Sequence, residues 1–238
     1  MKDFKEAFEK TRLAGSIAAG ALDEVSKIVK PGISTNEIDK LCYEYINDHQ
    51  AYSAPLFYRG FPKSCCTSAN HVVCHGIPSD KILKEGDIVN VDVTAFKDGW
   101  HGDTSRMFKI GKVSIKAEKL INSTYVAMMK AISIVKDNIH LGDIGSTIQK
   151  YVEAEGFSVV QDFCGHGIGE SFHKEPNILH YGEKGSGEKI KTGMIFTIEP
   201  MINLGKYETK ILNDGWTAVS KDKSLSAQFE HTIGVTND

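Results

Sequence analysis

Two short segments of the sequence carry an acidic side chain in the same setting. Asp92 lies six residues after Gly86, and Glu199 lies six residues after Gly193, with mostly apolar residues between them. A carboxylate at the end of a buried apolar run is costly unless a positive charge meets it. Two such acids in two similar segments predict a single metal centre that both of them reach.

The residues that follow Asp92 predict a second acid close to it. Residues 87–95 have the pattern of a strand, residues 96–99 that of a turn, and residues 103–108 that of the returning strand. With the turn centred between Lys97 and Asp98, Asp103 would lie directly opposite Asp92. Like charges that face each other across a hairpin are destabilising, so we expect a cation to offset them.

The candidate ligands form a set that is rich in carboxylates and contains one imidazole. His166 lies between two glycines, which allow the backbone to come close to a ligand, and Glu230 is expected to correspond to Asp103 in a second copy of the hairpin. The full candidate set is Asp92, Asp103, His166, Glu199 and Glu230. Such a set suits a pair of divalent ions (Mn, Fe(II), Co or Zn) better than a structural zinc site. Paired ions of this kind support hydrolysis. Taken singly, Asp103 also fits a turn or cap, Glu199 an edge strand and Glu230 a surface ion pair, whereas His166 between its glycines is harder to explain in such a way.

The elements that must position these residues occur twice along the chain. Apolar residues at helical spacing predict long helices over residues 4–30 and 114–137. Each is followed by a shorter helix, the first capped by Ser34 with Glu37 in a capping box and the second capped by Asp143. An irregular segment and a strand pair complete each copy, and His75-Gly76-Ile77 is expected to correspond to His166-Gly167-Ile168.

This duplication predicts the fold class. Two helix-helix-hairpin units bury their apolar faces best in one curved antiparallel sheet with the helices on its outer face, an α/β (α+β) architecture with pseudo-twofold symmetry. No linker-like composition separates the copies. We therefore expect a single domain over residues 1–238, with halves at roughly 1–112 and 113–238.

Composition excludes several other classes of protein. The net charge of −3 gives no basic field, so neither nucleic acid nor an anionic membrane is an implied partner. The five cysteines have no disulfide or zinc spacing, and reduced thiols are expected. The charged N-terminus lacks the apolar segment of a signal peptide, and no apolar run reaches membrane-spanning length. These features favour a cytoplasmic protein.

Five motifs in this order resemble the type I methionine aminopeptidases over nearly the whole chain. They are His75-Gly76-Ile77-Pro78, Asp92-Val93-Thr94 with Gly102-Asp103-Thr104, Gly165-His166-Gly167-Ile168-Gly169 with Phe172-His173, Phe196-Thr197-Ile198-Glu199-Pro200-Met201, and Gln228-Phe229-Glu230-His231-Thr232. The fold of that family, called pita-bread, is a duplicated α/β unit, which agrees with the repeat described above.

The resemblance implies roles for individual residues. Asp92, Asp103, His166, Glu199 and Glu230 would hold two divalent metal ions, with Asp103 and Glu230 shared between them. Glu199 would transfer protons as general base and acid, His173 would stabilise the oxyanion, and His75 would contact the scissile amide. The wall of a methionine pocket would consist of Tyr58, Phe61, Cys66, Phe172 and Trp216.

The function implied is removal of the initiator methionine from nascent proteins with a small second residue. The partner would be the N-terminal peptide of a nascent chain, with transient ribosome contact, and the protein is expected to be a monomer. Two alternatives remain open at this point. One is a proline-specific aminopeptidase or dipeptidase of the same fold, although such enzymes usually carry a further N-terminal domain. The other is a non-catalytic peptide-binding protein of that fold.

Overall fold

The computed structural model describes residues 4–237, so that Met1, Lys2, Asp3 and Asp238 lie outside the described part of the chain. Within it are two long and two shorter helices, in the predicted order. They are α1 (Phe4–Ile28), α2 (Thr35–Asp48), α3 (Ile115–Ser133) and α4 (Leu141–Ala154). No helix in residues 4–237 combines the length and the apolar character needed to cross a membrane.

The strands between and after these helices form three antiparallel sheets. They are β1 (Tyr52–Ser53), β2 (Cys66–Ala69), β3 (Val72–Cys74), β4 (Ile88–Lys97), β5 (Trp100–Lys109), β6 (Ser158–Val159), β7 (Gly165–Gly167), β8 (Lys174–Ile178), β9 (Ile195–Ile198), β10 (Met201–Asn203), β11 (Thr209–Ile211), β12 (Ala218–Ser220), β13 (Ser226–Gln228) and β14 (Glu230–Gly234). The largest sheet has the order β1-β4-β5-β14-β9-β7-β8, with β2 also paired to β4. Two three-stranded sheets, β13-β10-β6 and β11-β12-β3, complete the fold.

Local sequence signals account for the ends of the two shorter helices. Before α2, the Ser34 hydroxyl accepts a hydrogen bond from the Glu37 backbone N–H (3.2 Å), and the Glu37 carboxylate accepts one from the Ser34 N–H (2.8 Å). This is the predicted capping box. At α4 the prediction was wrong by three residues, because His140 is the cap and Asp143 is the third helical residue. Asp143 accepts a hydrogen bond from the His140 N–H (2.9 Å), so it closes the box instead of opening the helix.

The hydrophobic core lies between the helices and one face of the main sheet, in two large clusters. One packs α1 and α2 against β4 and β5, and includes Leu22, Ile38 and Val91. The other packs α3 and α4 against the second half of the sheet, and includes Met128 and Phe196. The helices therefore cover one face of the sheet, as predicted, and the opposite face is left for the site.

The backbone repeats itself around the two glycine turns that precede Asp92 and Glu199. Gly86 and Gly193 have φ values of 90° and 89°, in the left-handed region that glycine adopts without strain. The Gly86 N–H donates to the Ile110 carbonyl (2.9 Å), and the Gly193 N–H donates to the Val235 carbonyl (2.8 Å). Each turn thus starts a strand and binds the end of its hairpin partner, which is direct evidence of the duplication.

The register predicted for the first hairpin was wrong by one residue at the turn. The turn is centred on Asp98-Gly99, where both residues have positive φ (51° and 85°), a two-residue geometry that matches the twist of the flanking strands. Asp92 therefore pairs with Ser105, and Asp103 pairs with Thr94. The two acids are diagonal neighbours on one face and not directly opposed.

Two of the predicted correspondences between the halves were also wrong. In the first half Thr94, two residues after Asp92, pairs with Asp103. In the second half Met201, two residues after Glu199, pairs with Gln228. The counterpart of Asp103 is therefore Gln228. His166 lies on β7, which pairs with β9 as β2 pairs with β4, whereas His75 follows β3 in a smaller sheet. The two His-Gly-Ile motifs are thus similar in sequence but not equivalent in space.

Candidate metal centre

Each of the five predicted ligands comes from a different strand or strand end, and the strands are consecutive neighbours in the main sheet. β4 carries Asp92, β5 carries Asp103, β14 begins with Glu230, Glu199 follows β9, and β7 carries His166 at its centre. Because side chains alternate along a strand, these positions project from the face opposite the helices. The sheet therefore brings the whole predicted set together.

The distances within the cluster are those of groups that could share a cation. His166 Nε2 lies 3.8 Å from Asp103 Oδ2 and 3.6 Å from Glu199 Oε1. One ligand atom each from Asp103, His166 and Glu230 fall within 4.8 Å of one another. The carboxyl of Asp92 lies within hydrogen-bonding reach of those of Asp103 and Glu230. The acids from the two halves thus meet.

Burial of this many acids strongly perturbs their protonation. Burial raises the pKa of Asp92 to about 6 and that of Glu199 to about 8. The pKa values of Asp103 and Glu230 are raised well above their ordinary range by burial and by neighbouring carboxylates. Without a cation Glu199 therefore holds its proton at neutral pH, and the raised pKa values of Asp103 and Glu230 favour their protonated forms as well, since ionised carboxylates at this spacing repel each other. A divalent cation would remove that repulsion.

The donor atoms are oriented as metal ligation requires. Burial lowers the pKa of His166 to about 4, so the imidazole is neutral at pH 7. Its Nδ1 lies 3.1 Å from the Gly167 carbonyl, to which it can donate, and this leaves the Nε2 lone pair facing the carboxylates. Asp92 Oδ1 and Glu230 Oε1 are buried and have no hydrogen-bond partner among the residues that the structure describes. These orphaned oxygens fit a hard divalent cation.

Sequence reasoning missed the polar side chains that hold the ligands in place. Thr94 donates to Asp103 Oδ1 (2.7 Å) and Thr197 donates to Glu199 Oε1 (2.7 Å). Thr197 Oγ1 also accepts the His166 backbone N–H (3.0 Å), and Gln228 Nε2 lies 3.4 Å from Glu199 Oε2. A signal was available, because Thr197 is two residues from Glu199 and so shares its side of the chain.

A cavity of about 340 Å³ opens over the cluster. All five candidate ligands line it, together with the predicted histidines His75 and His173 and the predicted wall residues Tyr58, Phe61, Cys66, Phe172 and Trp216. Further lining residues that the sequence did not single out are Pro55, Arg59, Thr94, Asp162, Phe163, Cys164 and Met201. The structure therefore places every predicted site residue around one space of the size typical of ligand pockets.

The two histidines occupy different sides of this cavity. His173 Nδ1 lies 3.1 Å from the Tyr58 hydroxyl, and its ring centroid is 4.1 Å from that of His166. Desolvation, followed by the neighbouring His166 ring, lowers the pKa of His173. His75 has a positive φ of 55° and makes edge contacts with Phe163 and Trp216. A non-glycine residue in this conformation is held there by its surroundings, a condition common at functional sites.

Apolar rings form the remainder of the wall. Phe61 and Trp216 pack edge to face at 5.2 Å, and Tyr58 and Phe172 pack at 4.9 Å. Cys66 is buried, and burial raises the pKa of its thiol well above the usual range, so it acts as a small apolar group. Met201 lies beside them. The arrangement offers an apolar slot next to a cluster of acids and one imidazole.

An acid-rich cluster of this composition beneath an apolar slot is the site of a metal-dependent hydrolase. The sequence profile of Metallopeptidase family M24 matches residues 9–237, and the chain belongs to that family. The chain is 58% identical over 232 residues to a methionine aminopeptidase of Rickettsia prowazekii, covering 97% of this chain and 90% of the relative. It is 55% identical to a methionine aminopeptidase of Escherichia coli strain K12 over 98% of this chain and 89% of the relative.

Solved structures give the same result for the fold. The crystal structure of methionine aminopeptidase from Rickettsia prowazekii matches with a TM-score of 0.97 at 57% identity, covering 98% of this chain and 95% of that chain. The enzyme from Thermotoga maritima matches with a TM-score of 0.96 at 38% identity, covering 98% and 94%. The resemblance and the pita-bread fold class predicted from the sequence are therefore confirmed.

Proposed function

We propose that this chain is a methionyl aminopeptidase, a hydrolase that removes the initiator methionine from the N-termini of nascent proteins. The observation that carries the proposal is the junction of two features in one cavity. Three buried acids, the half-buried Asp92 and a neutral imidazole lie at its floor, and an apolar slot walled by aromatic rings opens directly beside them. Such a slot suits an unbranched thioether, and sulfur packs favourably against aromatic rings.

We infer that Asp92, Asp103, His166, Glu199 and Glu230 hold two divalent ions. Four carboxylates carry about four negative charges when ionised, which two divalent cations would neutralise. The orphaned oxygens of Asp92 and Glu230 are available as ligands to such ions. Mn, Fe(II), Co and Zn all suit this donor set. When bound, such ions supply Lewis-acid polarisation of the scissile carbonyl and a lowered pKa for water.

The protein groups around the ions have separate tasks in this proposal. Glu199, held by a hydrogen bond from Thr197, can take a proton from water and return it to the leaving amine. If the Tyr58 hydroxyl donates to His173 Nδ1, then Nε2 of the neutral ring carries a hydrogen and can donate to the oxyanion. His75, on the side of Trp216, is positioned to contact the scissile amide.

The slot sets the choice of the first residue. Phe61 and Trp216 close one side by an edge contact, and Cys66 supplies a small buried surface. With Tyr58 and Phe172 they form a wall that would contact the methionine side chain over most of its length. We infer that the second residue must be small because the histidines stand close to the cluster. The polypeptide partner emerges at the ribosome in the cytoplasm, where we expect a monomeric enzyme to meet it.

The proposal is tested by following methionine release from Met-Ala-Ser and Met-Gly-Met with added Mn, Co, Fe(II) or Zn. The D103A variant should lose at least about 10³-fold in turnover, because it removes a ligand from the centre. The T124V variant is the matched control, since Thr124 is fully buried on α3 and does not line the cavity over the cluster. Faster hydrolysis of Xaa-Pro peptides would support the proline-specific alternative. Peptide binding without turnover in any metal would support the binding-protein alternative.

A further inference from the structure

A second cavity lies on the opposite face of the main sheet from the acid cluster. Its volume is about 670 Å³, within the range of small-molecule sites. We call it the rear groove and define it by Thr11, Arg12, Arg106, Tyr125, Phe229 and His231. α1 of the first half forms one bank, Tyr125 of α3 in the second half contributes to the other, and β5 and β14 form the floor. The groove therefore follows the seam between the halves.

The floor of the rear groove is the reverse side of the strands that carry Asp103 and Glu230. Side chains alternate along a strand, so Thr104 and Arg106 project away from the acid cluster while Asp103 projects toward it. On β14, His231 projects to the same rear side. The Thr104 hydroxyl donates to the Glu230 carbonyl (2.8 Å) and lies 3.3 Å from His231 Nδ1. The main sheet alone separates the two cavities, and the side chains that serve each cavity project from opposite faces of it.

The rear groove carries two arginines, Arg12 and Arg106. Arg106 pairs with Asp23 at 2.9 Å, and Arg12 has no ion-pair partner among residues 4–237. Among residues 4–237 the one acidic residue that contributes to the lining is Asp103, whose carboxylate faces the opposite side and accepts from Thr94. An exposed ion pair such as Arg106 with Asp23 is weak, so an incoming anion can compete for the guanidinium.

A buried hydroxyl without a partner lies in the same groove. Thr11 is 6% exposed, lines the groove, and its Oγ1 has no hydrogen-bond partner in the described part of the chain. Two other threonines within helices, Thr124 and Thr147, donate to the carbonyl four residues earlier (both 2.8 Å). A buried polar atom left unsatisfied costs free energy, which a bound acceptor would recover. Beside it, Tyr125 and Phe229 pack edge to face at 5.2 Å and offer an apolar surface.

We propose that the rear groove binds a small organic anion whose apolar body packs against Tyr125 and Phe229 while its charged group meets Arg12 and Arg106. The hydroxyl of Thr11 donates to the same anionic group. Binding at this seam contacts elements of both halves and leaves the acid cluster free for peptide. The site is therefore separate from the peptidase site and is occupied independently of it.

The test uses two fluorescent probes that differ by one charged group. 8-Anilinonaphthalene-1-sulfonate carries a sulfonate on an aromatic body, and N-phenyl-1-naphthylamine is nearly the same body without charge. Wild-type protein should bind the sulfonate probe about tenfold more tightly than the uncharged one, and R12A/R106A should bind the two within about twofold. T11V should weaken binding of the sulfonate probe while leaving binding of the uncharged probe unchanged.

The control variant is K40A/K116A, which removes the same net charge from exposed positions away from the groove. It should keep the wild-type preference for the sulfonate probe, and all variants should keep wild-type hydrolysis of Met-Ala-Ser. Equal loss of preference in K40A/K116A and R12A/R106A would overturn the proposal, because the attraction would then be nonspecific. Displacement of the sulfonate probe by L-methionine would also overturn it, since the probe would then occupy the peptidase cavity.

Discussion

Replacement of Thr197 by valine should disable the acid cluster without disturbing the fold. The Thr197 hydroxyl is fully buried between two members of the site, accepting from the His166 N–H at 3.0 Å and donating to Glu199 Oε1 at 2.7 Å. Valine has nearly the same shape, so the core remains filled. The variant loses a hydrogen bond to a charged carboxylate, worth about 1.5–3 kcal/mol, and leaves the His166 N–H unsatisfied.

The expected effect of T197V is therefore a loss of about 10–100-fold in metal affinity, with a similar loss in kcat/KM at limiting metal. The hydrogen bond from Thr197 lowers the pKa of Glu199, so its removal raises that pKa further above 8. Protons then compete with the metal over a wider range, and the deficit should be larger at pH 6.5 than at pH 9. Calorimetric titration with Mn measures the metal affinity, and hydrolysis of Met-Ala-Ser measures kcat/KM, each at both pH values.

Two further variants decide whether the effect is specific. T197S restores the hydroxyl and should recover most of the affinity. T124V removes an equally buried threonine hydroxyl on α3 and should lower thermal stability while leaving metal affinity unchanged. Wild-type metal affinity in T197V would refute the positioning role of the hydroxyl. An equal loss of affinity in T124V would show that packing, and not the hydrogen bond, is responsible.

The metal-free protein should become less stable as pH rises from about 5 to about 9. The folded pKa of Glu199, about 8, lies above its ordinary value of 4.5, so the folded state binds more protons in this window and stability is lost on deprotonation, by an amount on the order of 4 kcal/mol. Thermal melts over this pH range, with and without Mn, check this. If Mn does not reduce the slope of stability against pH, the role of Glu199 as a metal ligand is contradicted. W216A should raise KM for Met-Ala-Ser about tenfold by opening the slot beside Phe61. Y207A, which alters an exposed ring, should leave this KM unchanged. An equal rise in KM in both variants would contradict the assignment of Trp216 to the pocket wall.

Features set by a few neighbouring residues were predictable from the sequence. The capping box of Ser34 and Glu37 depends on side chains three residues apart, and it forms as predicted. The glycine turns before Asp92 and Glu199 are similarly local. The assignment of one domain over residues 1–238, by contrast, stays a prediction, as do the catalytic roles of the individual site residues.

Features set by pairing between distant residues were not predictable in the same way. The hairpin turn could be centred on Lys97-Asp98 or on Asp98-Gly99 with the same strand pattern, and only the second choice places positive φ values at Asp98 and Gly99. Thr197 contacts His166 across two strands that are separated by 31 residues in sequence. The rear groove depends on how α1 and α3 pack on the sheet, and no segment of sequence carries a signal for it.

The departure from strict repetition explains how one site can serve both halves. β5 and β14 are neighbours at the centre of the sheet, and Glu230 pairs with Ser105, its counterpart in the other half. The pseudo-twofold axis therefore passes between these two residues. Acids at both positions would face each other directly, which is destabilising, whereas serine on one side leaves room for a single central carboxylate. From the axis, Glu230 reaches the carboxyl of Asp92 on one side and that of Glu199 on the other. A carboxylate with two oxygens at this position is therefore placed to bridge the contributions of both halves.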